Sequence, residues 1–346
     1  MLELLKVTRR FGLPYMWRLR SSYQAVWNDM FRGYIATTGI HALLNVGLLD
    51  RLEKEGTVDI ESFAETEDLD IDVLRPLCEA FYSMGIFDRD GDRYRLNSSQ
   101  LNTVQAMKGW FEVSWGYAEL FHSLEDLLRG EKEYGRDFYR RSDFVARGSG
   151  EMEQWLYFPM ANDIILERGY KRVLDLGCGD GTFLRKLCAL NSEVRCFGID
   201  MAREAVEEGR CRASGAGLDN RICLYNLDIS KIERVSGSLK NLDVATAFFV
   251  LHELLYFGEQ VLIGFLKDFR RLFPEVPLIV FETIRPTSEN MANRKGLAIY
   301  YFLYHDLSQQ KPVDRETWKE LFRSAGFRSI EERHLPFVRS AIYTLR

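Results

Sequence analysis

The chain has 346 residues, enough for two domains at roughly 100 to 200 residues each. It is 46% hydrophobic with a formal net charge of −5, which implies no general affinity for nucleic acid or an anionic membrane. No apolar run reaches the roughly 18 residues of a membrane span, and the six cysteines, with no CxxC pair, are expected to be reduced core thiols of a cytoplasmic protein.

The first twenty residues carry Lys6, Arg9, Arg10, Arg18 and Arg20 against Glu3, the charge bias of a transit peptide. Tyr15 and Trp17 among them, and the lack of a small-residue cleavage pattern, suit a helix packed on a neighbour better. Residues 33–54 place apolar side chains at helical spacing ahead of a Glu55-Gly56 stop, so one helix with a buried face is expected. Asp59 opens a short helix to about residue 67, and Asp70 or Asp72 caps another through residue 81. Residues 86–96 read as two short strands joined at Asp90-Gly91. Three helices and a hairpin make a winged helix, which taken alone suggests a transcriptional regulator. Charge argues against that use, because residues 57–92 hold eleven acids against two arginines, and a surface that neutralises phosphates cannot be so acidic. Residues 105–170 are helical in pattern and rich in aromatic residues, Trp110, Trp115, Tyr117, Phe121, Tyr157 and Phe158 among them, whose plainest use is core packing.

Residues 173–187, VLDLGCGDGTFLRKL, are the most informative stretch. A buried parallel strand leads through Gly177, Gly179 and Gly181 into a helix. Glycines let the chain reverse tightly and bring a ligand against bare backbone. Asp175 lies inside that strand, and Asp200, nineteen residues after Gly181, closes a second apolar run, where a carboxylate can hold both hydroxyls of a ribose. A dinucleotide site reads GxGxxG. Here the spacing is GxGxG, and an acid two residues before the first glycine disfavours a phosphate and suits a cationic amino-acid moiety. The stretch resembles motif I of class I methyltransferases that use S-adenosyl-L-methionine. Beyond it strands and helices alternate, with strands near 194–200, 222–228, 242–249 and 278–282, a helix near 314–325 and a last strand pair near 329–332 and 340–345. The expected fold is α/β, a Rossmann-like, doubly wound, mainly parallel sheet behind an N-terminal helical, winged-helix domain. The expected division is 1–104 for that domain, 105–170 for a helical lid and 171–346 for the cofactor-binding domain.

The resemblance implies further roles. Asp175, Gly177, Gly179, Asp200 and Phe248 would bind the cofactor, and Asp228 would accept from the adenine amino group with Leu227 and Ile229 flanking the ring. In related enzymes the N-terminal module dimerises and the segment before motif I covers the acceptor, so a homodimer is expected, with Tyr117, Phe121 and Tyr157 as candidate pocket rings. FFVLHELL resembles the FxxxHDW segment of O-methyltransferases, with His252 at the catalytic base and Glu253 at the aspartate, although Leu254, Leu255 and Tyr256 replace the tryptophan and the acidic turn. Glu282 stands where those enzymes carry a carboxylate that orients the histidine. His305, 53 residues beyond His252, has no usual counterpart there.

Two chemistries remain. In O-methylation of a phenolic or enolic secondary metabolite, His252 is the general base and needs no second histidine. In C-methylation at the β-carbon of a 2-oxo acid, as in the subgroup that methylates 2-ketoarginine or phenylpyruvate, Fe²⁺ or Zn²⁺ held by His252, Glu282 and His305 would polarise the carbonyl. His305 and the altered HDW segment favour carbon. A non-catalytic winged-helix regulator is the remote alternative.

Overall fold

A computed structural model describes residues 2–97, 108–287 and 301–346, with backbone alone for residues 2–5 and 29. The chain separates into two compact units, Met1–Trp115 and Gly116–Arg346. The expected boundary at residue 104 lies outside the described residues.

In the first unit, the helix Leu13–Gln24 continues through a π-helical segment, Ala25–Phe31, into the helix Arg32–Asn45. The single helix expected over 33–54 is in fact two, Arg32–Asn45 and Leu48–Glu55, because Gly47 takes φ 81° and turns the chain between them. Asp59 caps Ile60–Thr66 by accepting the Ser62 N–H at 3.1 Å, and Asp70 caps Ile71–Ser83 by accepting the Asp72 N–H at 2.9 Å. Strands β1 (Val58–Asp59), β2 (Phe87–Asp90) and β3 (Arg93–Leu96) form a small antiparallel sheet in the order β1-β3-β2. Leu43, Leu48, Leu52, Ile60, Phe81 and Tyr94 are almost fully buried together, each aliphatic side chain contributing roughly 1.5–3 kcal/mol by leaving water.

The second unit is built on seven strands, β4 (Arg172–Leu176), β5 (Arg195–Asp200), β6 (Ile222–Asn226), β7 (Val244–Phe248), β8 (Leu278–Thr283), β9 (Ile330–Leu335) and β10 (Ser340–Leu345). Their order is β6-β5-β4-β7-β8-β10-β9, parallel throughout except that β10 runs antiparallel to both β8 and β9. This is the doubly wound, Rossmann-like sheet expected from the sequence. One face packs Leu176, Ala247, Leu262, Phe269 and Trp318, the other Phe158, Phe183, Val244 and Ile279, so the central strands are covered on both sides. That is why they read as unbroken apolar runs, and why Asp175, Thr246 and Glu282, all buried within them, stand out. From β4 the chain goes first to β5 on one side and later to β7 on the other, so a crevice opens beyond the carboxyl ends of β4 and its neighbours.

All six cysteines are free thiols. Cys211 and Cys223 are exposed, which corrects the expectation that all six belong to the core. Among the described residues no helix is long and apolar enough to cross a membrane.

Candidate active site

The crevice beyond β4 holds a cavity of about 690 Å³. Asp175, Gly177, Gly179, Asp200, Asp228, Ile229 and Phe248 all line it, so the structure gathers the expected cofactor residues at one place. Gly177 starts the turn with φ +76°, and an added Cβ there would press within 3.0 Å of the Val250 side chain, so both conformation and space call for glycine. Asp200 ends β5 and fastens the turn, its two carboxylate oxygens accepting the Gly179 N–H at 2.8 Å and the Ala202 N–H at 2.7 Å. Burial raises the Asp200 carboxyl above its ordinary range, although those two amides pull the other way.

Asp175 pairs in register with Thr246 of β7, and the Thr246 hydroxyl lies 2.7 Å from its Oδ1. Burial pushes the Asp175 carboxyl up to about 8. Asp228 does not close a strand as expected, because β6 stops at Asn226; its Oδ1 caps the following 3-10 segment by accepting the Ser230 N–H at 2.9 Å. It still faces the cavity, with Ile229. Leu227 is not in the cavity wall and packs instead against the core.

Two neighbouring strands bring His252 and Glu282 together, and neither residue lines the cavity. β7 ends at Phe248 and the helix Leu251–Tyr256 begins three residues on, while Glu282 lies next to last in β8, the parallel neighbour of β7. Glu282 Oε1 accepts the N–H groups of Leu251 and His252 at 2.8 and 3.2 Å, capping that helix, and Oε2 accepts from His252 Nδ1 at 2.8 Å. His252 is 3% exposed and Glu282 0%, so water does not weaken the pair. Burial lowers the His252 pKa, but the Glu282 carboxylate outweighs it and the net shift is upward. His305, on the helix Tyr301–Leu307, sets its ring at an angle to that of His252 with centroids 5.1 Å apart. Its Nδ1 lies 3.3 Å from the Tyr301 carbonyl, and burial beside His252 drives its pKa well down, so it is neutral.

Of the expected ligand set, Glu282 therefore lies against His252, and His252 beside His305. Both oxygens of Glu282 are engaged by donors of its own chain, which leaves it holding His252 in place. Among the described residues no three His, Cys, Asp or Glu side chains are grouped to hold a metal ion. Two imidazoles remain, each tied at Nδ1 and each with Nε2 left for a ligand or a proton.

Tyr117, Phe121 and Tyr157 do not line the cavity. The Tyr117 hydroxyl accepts from Arg140 at 2.9 Å and from Gln310 at 3.1 Å, Phe121 packs edge-on against Tyr304, and Tyr157 packs edge-on against Phe249 with its hydroxyl 2.9 Å from that of Ser340. Sequence reasoning missed Arg140, which lines the cavity and is ion-paired with Glu253. It also missed Phe249, a cavity residue at the strained φ of 52° whose N–H is held by the Phe281 carbonyl at 2.8 Å. Nothing in the local pattern marks either one.

Residues 168–324 match the family described as a methyltransferase domain. The chain is similar to the 2-ketoarginine methyltransferase of Streptomyces arginensis, at 26% identity over 87% of this chain and 88% of that protein. It is also similar to the indolepyruvate C-methyltransferase of Streptomyces griseus, at 23% identity over 93% and 95%. Among solved structures, human N-acetylserotonin methyltransferase in complex with S-adenosylmethionine has the same fold, with a TM-score of 0.63 and 18% identity over 94% of this chain and 97% of that one. The glycine turn fastened by Asp200 and the family match agree, and the chain is an S-adenosylmethionine-dependent methyltransferase.

Proposed function

We propose that this enzyme methylates the β-carbon of a small 2-oxo acid, with His252 as the base. The observation that carries the reading is the buried His252–Glu282 pair, which does not itself line the cavity but is next in sequence to Glu253 of its wall. Glu282 accepts the Nδ1 proton, which fixes the tautomer and leaves the Nε2 lone pair to take a proton from the acceptor. The C–H electron pair becomes that of an enolate, whose carbon attacks the sulfonium methyl in line. A C–C bond forms, the S–CH₃ bond breaks, and sulfur keeps the pair as a thioether. The imidazolium is stabilised by Glu282 until its proton leaves to solvent. Arg140 in the cavity wall supplies the cation that the acceptor's carboxylate and developing enolate oxygen require. Support for carbon over oxygen comes from the two curated relatives, whose names specify 2-oxo acid substrates. In heavy water without cofactor, the enzyme should exchange the β-hydrogens of an accepted 2-oxo acid, and His252→Ala should not. Equal exchange by both proteins sinks the reading.

A second reading adds Fe²⁺ or Zn²⁺. What favours it is the pair of neighbouring imidazoles with Nδ1 tied back, the arrangement that holds a histidine ready to bind a metal through Nε2. His252 and His305 would hold the ion, which would polarise the acceptor carbonyl. Elemental analysis and chelation test it: metal-free protein with full activity excludes it.

We also propose a homodimer formed through the first unit. Leu13, Trp17, Tyr23, Trp27, Phe31 and Tyr34 are all about half exposed or more along consecutive helices, an apolar surface that suits a second copy. Light scattering should give twice the chain mass, and Trp17→Glu with Trp27→Glu should halve it. A wild-type monomer contradicts this.

A further inference from the structure

Glu153 is a carboxyl without an assignment. It ends the helix Ser142–Glu153, and it lines the same cavity as Gly177, Asp200 and Phe248. Among the described residues its side chain has no hydrogen-bond or ion-pair partner. Asp175 and Glu282 both lie within electrostatic reach of it, one at the glycine turn and the other behind His252. Burial and these two acids hold its carboxyl protonated far above the ordinary range. A cation beside such a group favours its ionised form, and the cofactor expected in this crevice carries positive charge at its methionine end. The adenosine end is accounted for elsewhere, by Asp200, Asp228 and Ile229.

We propose that Glu153 is a cofactor-binding residue whose carboxylate meets the positive charge of the methionine end of S-adenosylmethionine, between the glycine turn and His252. Asp175 cannot do this alone, because it is 2% exposed and shares its Oδ1 with the Thr246 hydroxyl. The arriving cation supplies the counter-charge that Glu153 lacks, and Glu153 gives up its proton as the cofactor binds. The inference rests on the cofactor assignment and not on the identity of the acceptor.

Binding of S-adenosylmethionine to the full chain, measured by titration calorimetry, tests it. Glu153→Gln keeps the shape and removes the charge, and should weaken binding about tenfold. Glu153→Asp keeps the charge and should lose less. In buffers of different ionisation heat, the wild type should release a proton on binding and Glu153→Gln should not, a readout that a merely structural role would not change. S-adenosylhomocysteine locates the contact: equal weakening for both ligands assigns it to the α-ammonium, and weakening of S-adenosylmethionine alone assigns it to the sulfonium. Unchanged affinity for both ligands in Glu153→Gln, or a larger loss in Glu153→Asp than in Glu153→Gln, overturns the proposal.

Discussion

The two parts of the proposed site, one for the cofactor and one for the acceptor, are built differently. At the cofactor end, backbone supplies the main contacts: Asp200 accepts one hydrogen bond from the Gly179 amide of the glycine turn and one from the Ala202 amide just beyond β5, all within one βαβ unit. At the proposed acceptor end, side chains come from distant segments, His252 after β7, Glu282 in β8, Arg140 from before the sheet, and His305 from between β8 and β9. A backbone-built site depends on local sequence and serves one cofactor across many enzymes. A side-chain-built site can change its substrate by single replacements.

Removing the base should separate the two ends most sharply. His252→Ala is expected to lower kcat about 10²- to 10⁴-fold while cofactor affinity in calorimetry stays unchanged. An equal loss of affinity would show that the two ends are not independent. Asp200→Ala should do the reverse, weakening S-adenosylmethionine binding by roughly 1.5–3 kcal/mol for each charge-assisted bond lost. Unchanged affinity would remove the ribose assignment.

Legibility followed the same division. The strand, turn and acid of the cofactor end lie within residues 173–200 and were read directly, because each is a local requirement of a tight turn or a buried strand. His252 and Glu282 were found by resemblance. Resemblance offered Glu282 two roles, the carboxylate that orients the histidine and a metal ligand, and which atoms reach its two oxygens depends on the pairing of β7 with β8. Arg140 and Glu153 had no signal, since a single charged residue in a helical pattern usually faces solvent. Two local features were also misread. Gly47 lay inside an apolar helical pattern that did not show the chain turning there, and Asp228 stood where a strand end and a helix cap look alike in sequence.

The base account carries a pH dependence. Only neutral His252 accepts a proton, and its folded pKa is raised above the ordinary 6.5, so kcat/KM should climb with pH through a limb above that value. Glu282→Gln removes the group that raises it, so the limb should move to lower pH while the rate falls by roughly 1.5–3 kcal/mol in barrier. A limb that stays in place contradicts the pairing. Stability has a definite sign too. A raised histidine pKa contributes stability that is fully present below 6.5 and lost as pH rises through the folded value. The smallest effect is expected at Thr246→Val, which removes the hydroxyl beside Asp175 and should cost about 1 kcal/mol in denaturant unfolding with little change in kcat.

The fate of the methyl group tests the central claim most directly. With S-adenosylmethionine carrying a ¹³C methyl and a panel of 2-oxo acids, cationic, aromatic and aliphatic, nuclear magnetic resonance of the product reads what the methyl is bonded to. The account predicts a methyl coupled to the β-carbon and split by the one hydrogen that remains there. An unsplit methyl bonded to oxygen, or transfer only to phenolic or enolic acceptors outside the panel, would contradict it.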